Sequence, residues 1–481
     1  MELQFNKKEI ACMQQIISQQ REQELSQEIR LPDGFPDIGS VIGSWGQLII
    51  RGKEWRDDSV GVSGGVNVWF LYRTEPGDEY KVVESWIPFS TKYNMDMPGK
   101  DGTIITLGHI NFVDTRSTSP RKVFLRTGIT VSIRAFISGN FKITEAKDVP
   151  EHLQIKTTPC NFRIPSETGE KLYALEEPLP LPEDLPCVNK VLFYDLHSEI
   201  AEMKVIGSRL VFRGIAHLRL VYMSDDEKVY SYVFDIPFSQ HTELDHTYEE
   251  GADASVYPIV TNLEIEQAEG GMTRMKADIT GQYIIYNCET LEVIDDAYST
   301  QYDCEIHAEK INIYTSDNES SIKIEAKQNA DINADRVVAC SFSVYEPTDS
   351  YVHGRFYVLY YDKMGQLQSA YLKWESDPVS LEKPIVIDVS HVRGLSQDPL
   401  SMSANVIFEN KGSSTNSMDM ICSVNLIDTE RTKVKPTVVL LRNNNDDLWD
   451  IAKQCSSTVD EIRKANRSSD DLNGIILVPV I

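Results

Sequence analysis

The chain has 481 residues, 41% hydrophobic and 25% charged, a length that exceeds one core and fits roughly three or four globular domains. Acids outnumber bases 73 to 47, for a formal net charge of −26. A nucleic-acid duplex or an anionic membrane would be repelled by such a body, and no dense basic patch offsets it.

No apolar run approaches the roughly twenty residues that cross a bilayer. The first ten residues, Met-Glu-Leu-Gln-Phe-Asn-Lys-Lys-Glu-Ile10, lack the apolar segment of a signal peptide, so a cytoplasmic protein is expected. The eight cysteines are scattered without a Cys-x-x-Cys pair, which favours reduced structural thiols over a disulfide or zinc framework. No cofactor or metal is expected.

Residues Lys7–Glu28 carry Ile10, Met13, Ile16 and Ile17 in a Gln/Glu-rich stretch that suits either a helix or an extended strand. A duplication follows. Leu31-Pro-Asp-Gly-Phe-Pro-Asp-Ile38 returns as Leu181-Pro-Glu-Asp-Leu-Pro-Cys-Val188, and Gly64…Tyr72 as Gly214…Tyr222, both offset by 150 residues. Ile87-Pro-Phe-Ser90 returns as Ile236-Pro-Phe-Ser239, offset by 149, and Arg121 and Gly128 match Arg274 and Gly281 at 153. Similarity at a fixed period marks one structural unit used repeatedly.

Within the unit the period is two. Val60, Val62, Gly64, Val66, Val68, Phe70 and Tyr72 alternate with Gly61, Ser63, Gly65 and Asn67, and Leu210, Phe212, Gly214, Ala216, Leu218, Leu220 and Tyr222 alternate with His217 and Arg219. Strict alternation predicts antiparallel strands with one buried face, and breaks such as Glu75-Pro-Gly-Asp78 and Ser224-Asp-Asp-Glu227 predict hairpin turns. The expected fold is mainly β: antiparallel sandwich- or barrel-like units over 1–165 and 166–303, joined by the stiff Pro178-Leu-Pro-Leu-Pro182.

A third β region is expected over 304–428. Lys310–Tyr314 and Ile322–Ala326 around Ser316-Asp-Asn-Glu319 read as one hairpin, and Arg355–Tyr361 and Ala370–Trp374 around Asp362-Lys-Met-Gly365 as another. Gly354…Tyr361 loosely echoes Gly64…Tyr72, but the Leu-Pro-x-x-x-Pro and Ile-Pro-Phe-Ser blocks are missing, so the sequence leaves a third copy open. Residues 429–436, polar and charged, read as a linker.

The last segment, 437–481, reads strand, helix, helix, strand. Leu448, Ile451, Ala452 and Cys455 share one helical face, with Asp446 or Asp447 as N-cap. Thr458-Val-Asp-Glu461 has the pattern of a capping box opening a helix that buries Val459, Ile462 and Ala465, and Asn466 suits a left-handed helix end. A DNA-binding helix-turn-helix is disfavoured, because residues 443–481 carry seven acids against four bases.

Paired acids (Asp295-Asp296, Asp446-Asp447, Asp470-Asp471) read as surface turns and caps rather than as catalytic carboxylates. His241-Thr-Glu-Leu-Asp-His246 has i, i+5 spacing beside a strand end and reads as a loop rather than a metal site. No phosphate loop or nucleophile motif is present, so no catalytic residue is expected.

Asp446-Asp-Leu-Trp-Asp-Ile-Ala452, Thr458-Val-Asp-Glu-Ile462, Asn466, Leu472-Asn-Gly474 and Leu477-Val-Pro479 resemble a LysM domain. Asn445 and Asp447 stand where that family has Gly and Thr, and Asn473-Gly474 where it has Pro-Gly. LysM modules bind N-acetylglucosamine polymers along the loops before the first helix and after the second. The resemblance therefore implies a partner- or glycan-binding surface of Asn445, Asp446, Asp447, Leu448, Trp449, Lys453, Ile462, Asn466, Arg467, Asp471, Leu472, Asn473 and Gly474. Trp449 suits either packing or recognition.

The duplicated blocks, together with Arg121-Lys-Val123, resemble the SPOCS domain of spore-forming Firmicutes. Tandem SPOCS-like units followed by one LysM module resemble the sporulation morphogenetic family. That resemblance implies a non-enzymatic spore-coat scaffold at the forespore surface of the mother cell. Its implied partner is the morphogenetic ATPase of the coat basement layer, with N-acetylglucosamine polymers as the alternative ligand.

Overall fold

A computed structural model describes residues 2–77, 79–95, 101–267, 272–314, 321–345, 348, 350–381, 384–396, 399–409, 415–427, 437–443, 446–467 and 474–480. The linker at 429–436 and the turn at Ser316–Glu319 lie outside the described residues.

Alternating sequences become long strands. A short β1 (Glu2–Gln4) precedes a first unit of β2 (Asn6–Arg30), β3 (Asp37–Arg56), β4 (Ser59–Glu75), β5 (Tyr80–Asn94), β6 (Thr103–Ser119) and β7 (Lys122–Glu145). The second unit has β8 (Leu153–Pro178), β9 (Lys190–Met223), β10 (Val229–Tyr248), β11 (Asp253–Gln267) and β12 (Thr273–Ser299). Then come β13 (Asp303–Tyr314), β14 (Ser321–Ala330), β15 (Ala334–Tyr345), β16 (His353–Asp362), β17 (Leu367–Glu375), β18 (Ile385–Leu395), β19 (Leu400–Glu409) and β20 (Thr415–Ile427). The C-terminal module is β21 (Val438–Asn443), α1 (Leu448–Cys455), α2 (Val459–Asn466) and β22 (Gly474–Pro479).

One wiring pattern occurs three times. In the first unit the sheets are β2-β7-β6 and β3-β4-β5; in the second, β8-β12-β11 and β9-β10; in the third, β14-β19-β18 and β15-β16-β17. The second unit keeps the pattern because β9 folds back on itself at Gly207 (φ +59°), so that Asn189 N–H donates to Met223 O. In each unit the two sheets bury one shared core, a sandwich. The alternating residues fill it: Val60, Phe70, Tyr72, Leu210, Phe212, Leu218 and Tyr222 are fully buried.

The repeated blocks have a physical explanation. Tyr72 Oη donates to Pro36 O and Tyr222 Oη to Pro186 O, both at 3.0 Å, so in each copy the strand-end tyrosine fastens the proline block. A Cβ on Gly64 would lie 2.1 Å from Ile49 O, and on Gly214 2.1 Å from Glu199 O. Only glycine admits that backbone approach.

The first and last strands of each unit extend beyond the sandwich as a paired ribbon. β2 pairs with β7 from Asn6↔Glu145 to Arg30↔Lys122, and β8 with β12 from Leu153↔Ser299 to Pro178↔Arg274. β13, just before β14, pairs with β20, just after β19, and β1 joins that sheet. The ribbons gather around Ile143, Cys160, Phe162, Ile164, Val293, Ile311 and Met420. This corrects one expectation: β13 and β14 are not the two arms of a hairpin, since β14 pairs with β19. The hairpin β16–β17 forms as expected.

The ambiguous stretch Lys7–Glu28 is strand. Its helical spacing yields to a 24-residue register against β7, reinforced by Glu28–Lys122, Glu24–Arg126 and Glu9–Lys142 ion pairs. β8 runs continuously through position 165.

Polar keystones join the sandwiches. Arg134 of β7, 5% exposed, donates to Tyr257 Oη of β11 at 3.3 Å and to Glu409 Oε1 of β19 at 3.0 Å, touching all three units. Gln282 of β12 is fully buried and exchanges two hydrogen bonds with the Thr106 backbone of β6. Trp45 stacks on Phe193 at 4.0 Å inside a cluster that also takes in Tyr357 and Leu359.

Candidate functional site: the C-terminal module and its dock

The module is built by local signals. Asn443, 3% exposed, accepts from Asp446 N–H at 2.7 Å and sets the entry turn. Asp447 caps α1, its carboxylate accepting from Trp449 N–H at 3.0 Å. Thr458 Oγ1 accepts from Glu461 N–H at 3.1 Å and caps α2. Leu448, Ile451, Ala452 and Ile462 pack onto Ile476 and Val478 of β22, which pairs antiparallel with β21.

Two local expectations need correction. The left-handed residue after α2 is Arg467 (φ 53°), not Asn466. Asn466 instead braces the module: its amide donates to Ile462 O and Leu477 O, and its carbonyl accepts from Leu477 N–H. Ala465 is exposed, because α2 is only eight residues long and buries a narrow stripe through Ile462.

The anticipated binding residues divide into distinct environments. Leu448 (5% exposed) and Ile462 (0%) are core, so neither presents a side chain to a ligand. Asp447, Trp449 and Lys453 face the chain's own second unit. Trp449 Nε1–H donates to Asp296 Oδ2 at 2.7 Å, and Lys453 Nζ lies 2.7 and 2.8 Å from the two oxygens of the same carboxylate. Lys156 of β8 pairs with Asp447 at 3.0 Å. Tyr298 meets the Trp449 ring edge-on at 4.9 Å and donates to Ser457 O at 2.8 Å. Asp446, Arg467 and Gly474 remain exposed, while Asn445, Asp471, Leu472 and Asn473 lie outside the described residues.

Asp296 overturns the reading of the Asp295-Asp296 pair as a surface turn. Both lie within β12, where the register breaks between Ile294 and Asp296. That irregularity sends Asp295 to Thr158 Oγ1, which donates at 2.7 Å, and leaves Asp296 aimed at α1. Burial alone would raise the Asp296 pKa, but the Lys453 and Trp449 hydrogen bonds outweigh it and hold the carboxyl below its ordinary value. The sequence signal for this dock was the strand pattern of Leu291-Glu-Val-Ile-Asp-Asp-Ala-Tyr298 continuing through the acids.

The His241…His246 stretch is also strand, within β10 where its register breaks between Glu243 and Tyr248. His246 Nδ1 lies 3.3 Å from Glu167 Oε2. Among the described residues no group of three or more His, Cys, Asp or Glu side chains is gathered as for a metal ion.

A cavity of about 790 Å³ lies where the three sandwiches meet, lined by residues that include His109, Arg163, His197, Arg219 and Asp388. Its charges are paired: Arg163 with Asp253 and Arg219 with Asp195 inside the second unit, and His197 of β9 with Asp388 of β18 in the third unit at 2.7 Å.

No helix among the described residues is long and apolar enough to cross a membrane. No curated protein matches the chain, and no solved structure matches it. Residues 187–268 match the family model described as SipL, SPOCS domain. The match begins just before β9 and closes at the end of β11, inside the second sandwich, so the chain carries a SPOCS domain there.

Proposed function

We propose that this protein is a non-enzymatic scaffold of spore-coat morphogenesis, acting in the mother cell at the forespore surface. In this reading its LysM-like C-terminal module binds the morphogenetic ATPase of the coat basement layer and helps to localise the coat. The observation that carries the reading is the SPOCS domain at residues 187–268, which points to a sporulation-related role.

The geometry supports a scaffold. Three sandwiches are joined by ribbons and by the Arg134–Tyr257–Glu409 contact, and the module is pinned to the body rather than left on a free tether. It also narrows the loop surface left open to N-acetylglucosamine polymers, the alternative ligand. Asp447, Trp449 and Lys453, counted among the ligand-binding residues, are engaged with Lys156 and Asp296.

Pull-down from sporulating cells with the full chain, and with the chain lacking residues 437–481, tests the reading. Recovery of the ATPase should fall sharply on deletion; equal recovery would sink it.

A further inference from the structure

The module's hairpin has two faces. Val439, Leu441, Ile476 and Val478 turn toward the helices. The alternate positions pair as Val438↔Pro479, Leu440↔Leu477 and Arg442↔Ile475. On this outer face Val438 is 48% exposed, Leu440 70%, Ile475 77% and Leu477 39%, with Arg442 also exposed at its end. Four neighbouring aliphatic side chains in water form a contiguous patch, the kind of surface that marks an interaction site.

We infer that this face is where the module engages its protein partner. The occupant is an amphipathic segment whose apolar side chains cover Leu440, Leu477 and Ile475 and whose acidic residue meets Arg442. The inference rests on the reading above and names the surface that reading needs.

Three observations choose this occupant. First, Arg442 makes no ion pair among the described residues, in a chain where acids outnumber bases 73 to 47. A cation closing an apolar ladder selects an acidic group beside apolar ones. Second, the chain just before β21, Asp428-Thr-Glu-Arg-Thr-Lys-Val-Lys-Pro436, contains one aliphatic residue and supplies no apolar run to cover the ladder. Third, a patch on the order of a few hundred Å² falls well short of the roughly 800 Å² per partner typical of a stable complex between two folded surfaces. That size disfavours a second copy packing through this face and suits a segment laid on the sheet.

The face also points away from the dock. α1 meets the body through Asp447, Trp449 and Lys453, and meets the hairpin through its buried side. The outer hairpin face is therefore left open while the module is held in place.

The test uses the full-length protein and the purified coat basement-layer ATPase in a direct binding titration, with Leu440→Asp, Ile475→Asp and Arg442→Glu. Leu172→Asp, at an aliphatic residue 62% exposed on β8, is the control. Hydrogen exchange in α1 verifies that each variant keeps its fold. Leu440→Asp and Ile475→Asp should each weaken binding at least about tenfold. Arg442→Glu should weaken it several-fold and flatten its salt dependence, and Leu172→Asp should bind like the parent. Unchanged binding in the three face variants, against a parent that binds, overturns the surface and leaves the proposed function standing. A parent that does not bind overturns both. A parent that is dimeric by light scattering, made monomeric by Leu440→Asp, overturns the inference in favour of self-association.

Discussion

Asp296→Ala should release the C-terminal module without unfolding the body. The carboxylate is 25% exposed and accepts from the Trp449 indole at 2.7 Å and from Lys453 at 2.7 and 2.8 Å. A hydrogen bond to a charged acceptor contributes about 1.5–3 kcal/mol. Lys453 is 40% exposed and regains water when its partner is lost, so its share is held below about 1 kcal/mol. The substitution should therefore cost the dock about 2–3 kcal/mol, and Asp296→Asn about 1 kcal/mol, since its carbonyl still accepts from the indole. Hydrogen exchange read by mass spectrometry is the assay. A loss of 2–3 kcal/mol should speed opening-limited exchange in α1 and β22 by roughly 30- to 150-fold while β4 and β7 stay protected. Unchanged protection in α1 would refute the clamp; parallel loss in β4 and β7 would show that Asp296 holds the whole fold. The carboxyl pKa is held low in the folded state, so its contribution is present above the unfolded value near 3.8 and is lost as pH falls through the folded value.

Arg134→Ala would leave Glu409 and Tyr257 facing an uncompensated buried site. It should cost about 3–5 kcal/mol, read as a drop in the melting temperature of the whole chain. Gly214→Ala drives a Cβ to 2.1 Å from Glu199 O and should cost about 2–3 kcal/mol in denaturant melts; the same change at Gly207, with nothing within 4 Å of its Cβ, costs strain from its φ of +59° but no clash. Burial opposes a charged His197, but Asp388, aided by Glu199 and Asp195, raises its pKa above the ordinary 6.5. The seam between β9 and β18 should therefore be tightest below pH 6.5 and loosen as pH rises through the folded value, and His197→Gln should flatten that dependence of the melting temperature.

Local and periodic features were legible in the sequence, and long-range pairing was not. Tyr72 and Tyr222, and Gly64 and Gly214, recur at one offset because each copy needs the same hydrogen bond and the same backbone approach. Physical necessity left a mark at fixed spacing. The ribbons leave no such mark, since their pairing joins the first strand of a unit to its last. Lys310–Tyr314 therefore looked like the arm of a nearby hairpin, whereas β20, about a hundred residues away, is its partner. The same limit hid Asp296. Adjacent acids imitate a turn, and only the pairing of β8 with β12, together with its irregular register, shows that one of them leaves the strand face and reaches a module more than 150 residues further on.

Aspartate stands at position 447, where the LysM pattern that this segment resembles has threonine, and the same contact gives that acid a role. A threonine there would cap α1 almost as well as aspartate, so capping alone does not explain the acid. Asp447 has a second task, because its other oxygen pairs with Lys156 of the second unit while the first holds Trp449 N–H. Both interactions lower its pKa against a smaller opposing effect of burial. Asp447→Thr should thus keep α1 intact and weaken only the dock. The pair is 38% and 50% exposed, so its coupling is limited to under about 1 kcal/mol. A double-mutant cycle of Asp447→Thr with Lys156→Ala, followed by exchange at α1, isolates that coupling. A value of about 0.3–0.8 kcal/mol is expected for such an exposed pair. Strict additivity would mean that the acid serves the helix alone, and that Asp296 and Tyr298 hold the module without it.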